Sequence, residues 1–371
     1  MKTQYSEFFR RYDYSFFLTA TAIFIIGILN LYSATHAEAS SVIMNLYKIQ
    51  IGWYSMAIVL GLLVSFVQPQ TIFRYSYAFY GINIVFLVLV LLIGQSAMGG
   101  QRWFAIGPIH FQPSEMMKLA LILALARYFT GHEPGQEVTL KKLFVPTLLT
   151  LVPAALIFKQ PDLGTGMILL MVFTVVVFYK RLSLKTFFII GICAALGGYL
   201  MFQYGLKDYQ RQRIYTFINP SEDAKGSGYN AIQSRIAIGS GRLMGKGFKM
   251  STQASLSYLP ENHTDFVFSV FNEEHGFIGS MFLIILYLVL LYRFHWLAVS
   301  SGRFFNSVTA IGLLSVFFWH TFINMGMVTG ILPIVGIPLP LLSYGGSSLL
   351  TFGLACGIAT SMSNSKNIFS H

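Results

Sequence analysis

Arg74-Tyr-Ser-Tyr-Ala-Phe-Tyr-Gly-Ile-Asn-Ile-Val-Phe-Leu-Val-Leu-Val-Leu-Leu-Ile-Gly94 is the stretch on which the fold class turns. After Arg74 it carries no charge. Its length matches the roughly 20 apolar residues that a helix needs to cross the hydrocarbon of a bilayer. Similar runs recur along the chain, at approximately 14–33, 47–67, 112–130, 143–158, 166–180, 186–205, 268–294, 304–325 and 345–363. With residues 74–94 they make ten candidate spans, so the expected fold is an all-α, polytopic membrane bundle of about ten transmembrane helices. Residues 1–371 read as a single integral membrane domain. Lys159, Gln160 and Asp162 separate the fifth and sixth runs, where a bend or break is expected.

Composition agrees. Of 371 residues, 55% are hydrophobic and 11% charged, and the mean hydropathy is +0.63. That is too little charge to cover a soluble protein of this size. The net charge of +11 does not point to nucleic acid, because the basic residues lie between apolar runs rather than on one polar face. Cys193 and Cys356 fall inside apolar runs and read as small buried hydrophobes. The polar segment Met1–Asp13 followed by a full-length run reads as an uncleaved first span.

Orientation follows from lysine and arginine. With the N-terminus in the cytoplasm, the cytoplasmic segments hold Lys2, Arg10, Arg11, Arg74, Arg127, Lys141, Lys142, Lys180, Arg181, Lys185, Arg293, Arg303 and Lys366. The short loops opposite hold only Lys48, Arg102 and Lys159. This asymmetry places both termini inside. Residues 206–264, between the seventh and eighth spans, then form a large extracytoplasmic loop. It is the one long polar region and the natural place for catalytic and substrate-binding motifs.

Charge within an apolar run costs roughly 3 kcal/mol or more and needs a reason. Glu115 and Lys118 share a helix face at i and i+3, so they form either a structural pair or a polar cavity in which Lys118 meets an anion. Gln160-Pro-Asp-Leu-Gly-Thr-Gly166 reads as a turn or re-entrant segment, with Asp162 either a helix cap or a substrate contact. In Asp208-Tyr-Gln-Arg-Gln-Arg213 the guanidinium forks of Arg211 and Arg213 suit phosphate oxygens, on a substrate or on lipid headgroups.

Gln233-Ser234 opens a glycine-rich stretch that ends in Gly245-Lys-Gly247. Its backbone and Lys246 could cradle a phosphate, although the spacing is not that of a P-loop. Leu259-Pro-Glu-Asn-His-Thr-Asp-Phe266 closes the loop, putting Asp265 at the membrane boundary as either an N-cap or a catalytic acid. His263 and His275 read either as acid–base groups or, as is more usual for a lone histidine at a helix end, as hydrogen-bonding partners, and Glu273 and Glu274, about two turns deeper, fit a structural role. Three prolines and repeated glycines between Asn324 and Ser348 forbid a regular helix there and suggest an external loop, carrying Ser343, packed into the bundle.

Taken together, these motifs resemble the SEDS family (shape, elongation, division and sporulation). The resemblance rests on Arg102-Trp103, Gln112-Pro-Ser-Glu115 with Lys118, Gln160-Pro-Asp-Leu-Gly164, Asp208–Arg213, Gln233-Ser234, Ile238-Gly-Ser-Gly241, Gly245-Lys-Gly247, Pro260-Glu261, His263-Thr-Asp-Phe266, Pro338-Leu-Pro340 and Ser343-Tyr-Gly-Gly346. The Asp-Tyr-Gln-Arg-Gln-Arg run is similar to the elongation branch more than to the division branch. The resemblance implies a peptidoglycan glycosyltransferase that polymerises lipid II, an undecaprenyl-pyrophosphate disaccharide-pentapeptide, with Asp265 as its essential acid. It also implies a class B penicillin-binding protein transpeptidase as partner, among other elongation-machinery proteins and membrane lipids. No cofactor is firmly implied, although a divalent cation such as Mg²⁺ or Mn²⁺ could assist. Two other readings fit ten spans: a lipid II flippase, and a non-catalytic scaffold for other wall enzymes. Against the flippase, the polar residues cluster at one face and no inverted repeat is evident.

Overall fold

The computed structural model describes residues 12–36, 41–97, 100–106, 109–131, 138–180, 183–205, 208–220, 223, 226–256 and 258–367. Lys2, Arg10, Arg11, Arg181 and Glu222, with the side chains of Cys193, Asp208 and Lys366, lie outside what it describes.

Each candidate span is a helix. They are α1 (Ser15–Thr35), α2 (Leu46–Ser65), α3 (Pro69–Ile93), α4 (Pro113–Thr130), α5 (Leu140–Lys159), α6 (Leu163–Tyr179) and α7 (Leu184–Leu200). After two shorter helices, α8 (Asp208–Ile218) and α9 (Ser227–Ser240), come α10 (Val267–Ser300), α11 (Phe304–Thr329) and α12 (Gly346–Asn367). Seven are long and apolar enough to cross a membrane, and α6 is apolar but shorter. The chain is an integral membrane protein.

Helix α4 is the exception that explains the bundle. It is buried along almost its whole length, including Glu115 and Lys118, because α3, α5, α6, α11 and α12 pack around it. A helix facing protein on all sides need not be apolar to lipid. The α2–α12 pair approaches closely through small residues, with a Cβ at Gly353 meeting Ala57 and one at Gly357 meeting the Gly61 carbonyl. By contrast, α7 is almost entirely exposed along its length.

Two faces of the bundle are defined by contacts. At one, Asp13 before α1 bonds Arg293 of α10 at 2.8 Å and Ser363 of α12 at 2.6 Å. Arg127 there reaches the Arg74 carbonyl, and Lys180 lies over Phe304. At the other, Ser33 at the end of α1 bonds Glu274 near the start of α10, and Lys249 bonds Tyr32.

Three features go beyond the expected outline. A small antiparallel sheet joins α3 to α4: β1 (Gln95–Ala97), β2 (Gly100–Ile106) and β3 (Ile109–Phe111) in that order. Gln95 pairs with Trp103, and Phe104 with Phe111. The 206–264 region is not simply a loop, since it folds into α8, α9 and a single turn at Thr252–Ser255. Finally, α10 is broken at Gly276, where φ is 64° and ψ −163°.

Candidate active site

The glycine-rich stretch fills the break in α10. The Lys246 and Gly247 amides donate to the carbonyls of Glu273 and Glu274, and the Phe277 and Ile278 amides donate to those of Arg242 and Leu243. Gly245 has φ of 80°, and a Cβ on it would overlap the Glu274 carbonyl. The phosphate-cradle expectation is therefore corrected: amides at Lys246 and Gly247 serve to satisfy backbone groups that the helix break exposes.

Lys246 follows the same logic. Its Nζ lies 2.5 Å from Glu273 Oε1 and 2.9 Å from Thr252 Oγ1. Glu273, fully buried, also accepts from the Ser251 hydroxyl and from the Thr252 hydroxyl and amide. The lysine neutralises a structural carboxylate, so its expected place beside a substrate phosphate is not where the structure puts it.

Several other residues singled out in the sequence hold the chain together. Asp162 is the N-cap of α6, accepting from the Thr165 amide at 3.1 Å, while its other oxygen accepts from Gln112. Arg102 donates to the carbonyls of Gln160 and Pro161, and Gln160 to that of Leu87. These bonds pin the corner between α5 and α6 against the small sheet. Ser234 is buried, bonds Ser269 and donates to the Val328 carbonyl, tying α9 to α10 and α11. Gln233 is partly exposed on α9. Arg211 turns away to the Gln203 carbonyl.

Glu115 and Lys118 form the buried pair, 2.8 Å apart. The pair does not stand alone, because Lys118 also lies 2.8 Å from His320 Nε2 on α11. An ammonium only donates, so Nε2 accepts and Nδ1 carries the ring hydrogen. That Nδ1 faces the Pro338 carbonyl at 3.3 Å. The charge pair is thereby coupled to the irregular segment between α11 and α12.

That segment packs into the bundle, with Ile337, Leu339, Leu341 and Leu342 buried, and it forms one wall around Asp265. Asn324 of α11 donates to the carbonyls of both Asp265 and Ile337, at 3.0 and 2.8 Å. Ser343 donates to the Thr264 carbonyl and accepts from the Leu339 amide. The Tyr344 amide donates to the His263 carbonyl. Gly336 has φ of 75°, and a Cβ on it would come within 3.3 Å of Asp265 Oδ2. The backbone of 263–265 is held from several sides.

The Asp265 side chain is not. Phe266, not Thr264 or Asp265, occupies the N-cap of α10, and no side chain caps that end. The cap role weighed from sequence therefore does not fall to Asp265. Its carboxyl is half-buried and pushed up to about 6, chiefly by burial and then by the neighbouring Glu261 carboxylate, with Arg213 pulling the other way. Glu261 itself accepts from the Thr264 hydroxyl at 2.9 Å. His263 faces Asn262 at 3.3 Å, with its ring 6.2 Å from that of Tyr344. Among the described residues no three His, Cys, Asp or Glu side chains gather to hold a metal ion.

The charges of Glu261 and Arg213 thus act on Asp265, whereas Lys246, Arg102 and Arg211 bond other parts of the chain. A family model described as cell cycle protein, covering FtsW, RodA and SpoVE, matches residues 13–368. The chain belongs to the SEDS family. Its SEDS relatives include the peptidoglycan glycosyltransferase MrdB of Escherichia coli K12, 37% identical over 354 residues covering 95% of both chains. The peptidoglycan glycosyltransferase RodA of Treponema pallidum is 33% identical, covering 95% of this chain and 97% of the relative. Among solved structures, one from work on structural coordination of polymerization and crosslinking by a peptidoglycan synthase complex aligns with a TM-score of 0.81 at 29% identity, over 96% of this chain and 99% of that one. The rod shape determining protein RodA of Thermus thermophilus aligns with a TM-score of 0.70 at 30% identity, over 95% and 97%.

Proposed function

We propose that this SEDS protein is a peptidoglycan glycosyltransferase that polymerises lipid II for cell elongation, with Asp265 as general base. The observation that carries the reading is a half-buried carboxylate, fixed by its backbone but unbonded at its side chain among the described residues, within reach of an arginine's charge. A base must be ionised to work, and one raised to about 6 is mostly ionised at neutral pH while keeping more proton affinity than an ordinary aspartate.

The step balances as a single displacement. Asp265 takes the proton of the acceptor sugar's 4-hydroxyl as that oxygen bonds to the donor's anomeric carbon. The bond from that carbon to the lipid diphosphate breaks, and the diphosphate leaves with the electron pair. Attack opposite the leaving group converts an α-linked donor into a β-linked product. A diphosphate whose charge is offset leaves without being protonated, so one carboxylate suffices where glycosidases use two. Arg213 supplies offsetting charge, and a divalent cation such as Mg²⁺ or Mn²⁺, if bound with the diphosphate, would add to it. His263 and Gln233 belong to the same 206–264 region, whereas Arg102, Lys118, Gln160, Asp162, Arg211, Ser234, Lys246 and Ser343 bond other parts of the protein and act, in this reading, by holding its shape.

The side of the membrane follows from charge. The face carrying Arg74, Arg127, Lys180 and Arg293 is the cytoplasmic one under the positive-inside rule, with both termini. That puts Asp265 and the 206–264 region outside the plasma membrane, where a class B penicillin-binding protein transpeptidase could crosslink the new strand. The MrdB and RodA relatives favour catalysis over the flippase and scaffold readings.

The test is lipid II turnover by purified protein in detergent, where no two sides exist. Glycan polymer formed with the partner transpeptidase present is the expected result. Absence of polymer, combined with lipid II movement across reconstituted vesicles, would overturn the reading in favour of transport.

A further inference from the structure

An open cleft, with room for about one water molecule in its enclosed part, lies between α8, α9 and the chain leaving α11, and two arginines line it: Arg213 from α8 and Arg235 from α9. The sequence motifs single out Arg213 but not Arg235. The Arg235 guanidinium lies against Gly330, where φ is 83° and any Cβ would overlap it. Arg213 donates to the Ile334 carbonyl at 3.3 Å, and its charge reaches Asp265. Ile334 stands two residues before Gly336, which abuts the Asp265 carboxylate. One end of the cavity therefore adjoins the catalytic centre.

Two guanidinium groups in one cavity repel unless an anion lies between them. The ion pairs among the described residues join Lys118 to Glu115, Lys246 to Glu273 and Arg293 to Asp13, and none engages Arg213 or Arg235. Asp223 abuts the lining through Thr216, and it accepts from the Thr216 hydroxyl and the Gly228 amide. Arg235 could simply answer the negative end of α11. The carbonyls there are already served, however. Met325 and Gly326 accept from Thr329, Gly326 also from the amides of Ile331 and Leu332, Met327 from that of Gly330, and Val328 from Ser234.

We propose that Arg213 and Arg235 form a two-guanidinium subsite for the diphosphate of a lipid-linked sugar, with Arg213 on the phosphate next to the reacting carbon and Arg235 on the outer one. Arg213 is placed inward because it is the one that acts on Asp265. The proposal rests on the lipid II reading above. The same chemistry would also take the headgroup of an anionic lipid, so the test must separate the two.

The experiment uses the full-length protein in phosphatidylcholine nanodiscs, with and without phosphatidylglycerol, and undecaprenyl diphosphate as probe. Arg235→Ala should raise the probe's Kd and the KM for lipid II by about tenfold, in line with loss of one charged hydrogen bond, and leave kcat nearly unchanged. Arg235→Lys should recover part of the loss, and both variants should melt like wild type because the side chain is exposed. An unchanged Kd in pure phosphatidylcholine overturns the subsite. So does an effect that appears only with phosphatidylglycerol, which would assign Arg235 to bulk headgroups. Arg235-dependent probe binding by a wild-type protein that makes no polymer would uphold the subsite and sink the polymerase reading instead.

Discussion

Two acids eight residues apart have opposite fates. Glu273 sits at the break in α10 and is saturated, accepting from Lys246, Ser251 and Thr252. Asp265 sits just before α10, with its backbone clamped by Asn324 and its carboxyl half-buried beside Glu261. A carboxylate whose acceptor sites are filled by the protein has its proton affinity lowered and its geometry spent on folding. One kept partly dry and unfilled stays basic and open to a substrate hydroxyl. The comparison teaches that hydrogen-bond saturation, rather than burial alone, separates a structural acid from an available one.

Breaking the saturated side should have the larger thermodynamic effect. Glu273→Ala leaves Lys246 and the Ser251–Thr252 turn without their common acceptor and should destabilise the fold by about 2 kcal/mol, read as a lower Tm in detergent. Gly245→Ala strikes the same clasp through the backbone, since it places a side chain at positive φ against Glu274. A cost of about 1–3 kcal/mol is expected, whereas alanine at the exposed Gly239 should change Tm little.

On the unsaturated side the sign reverses. A carboxyl raised to about 6 is penalised when ionised in the folded state. That penalty is absent below about 4, the ordinary aspartate value, and complete above about 6. Asp265→Asn should therefore stabilise the protein at neutral pH, by about 1 kcal/mol, and make no difference near pH 4. Activity should follow the same group, with kcat/KM falling as pH drops through about 6. Smallest of all, Glu261→Gln removes a like charge and should move that acid limb to lower pH while leaving the plateau in place.

Much of the fold was legible because lipid imposes a one-dimensional rule, and an apolar run of span length has few alternatives. All ten runs are helices, and the expected interruption near Gln160 falls between α5 and α6. Hidden from that rule were features that depend on partners distant in sequence. The break at Gly276 lies inside an apolar run and exists because residues 241–247 fill it. The sheet at 95–111 and the helices α8 and α9 are too short or too polar to stand out. The motif singles out Asp265, whose carboxyl the structure leaves unbonded among the described residues, whereas the motif residues Lys246, Arg102, Asp162 and Ser234 bond the protein itself. Residue type alone cannot say whether a polar side chain faces its own backbone or a ligand. Arg235 lies between the Gln233-Ser234 and Ile238–Gly241 motifs, yet sequence alone does not show that it lines a cavity with Arg213.

The most direct test of an uncommitted base is polymer formation by purified Asp265→Asn protein at saturating lipid II, with its Tm and lipid II binding measured on the same sample. The account predicts a protein at least as stable as wild type that binds lipid II and has lost activity by about a thousandfold or more. Polymerisation within about tenfold of wild type would contradict it, and would show that the proton goes elsewhere.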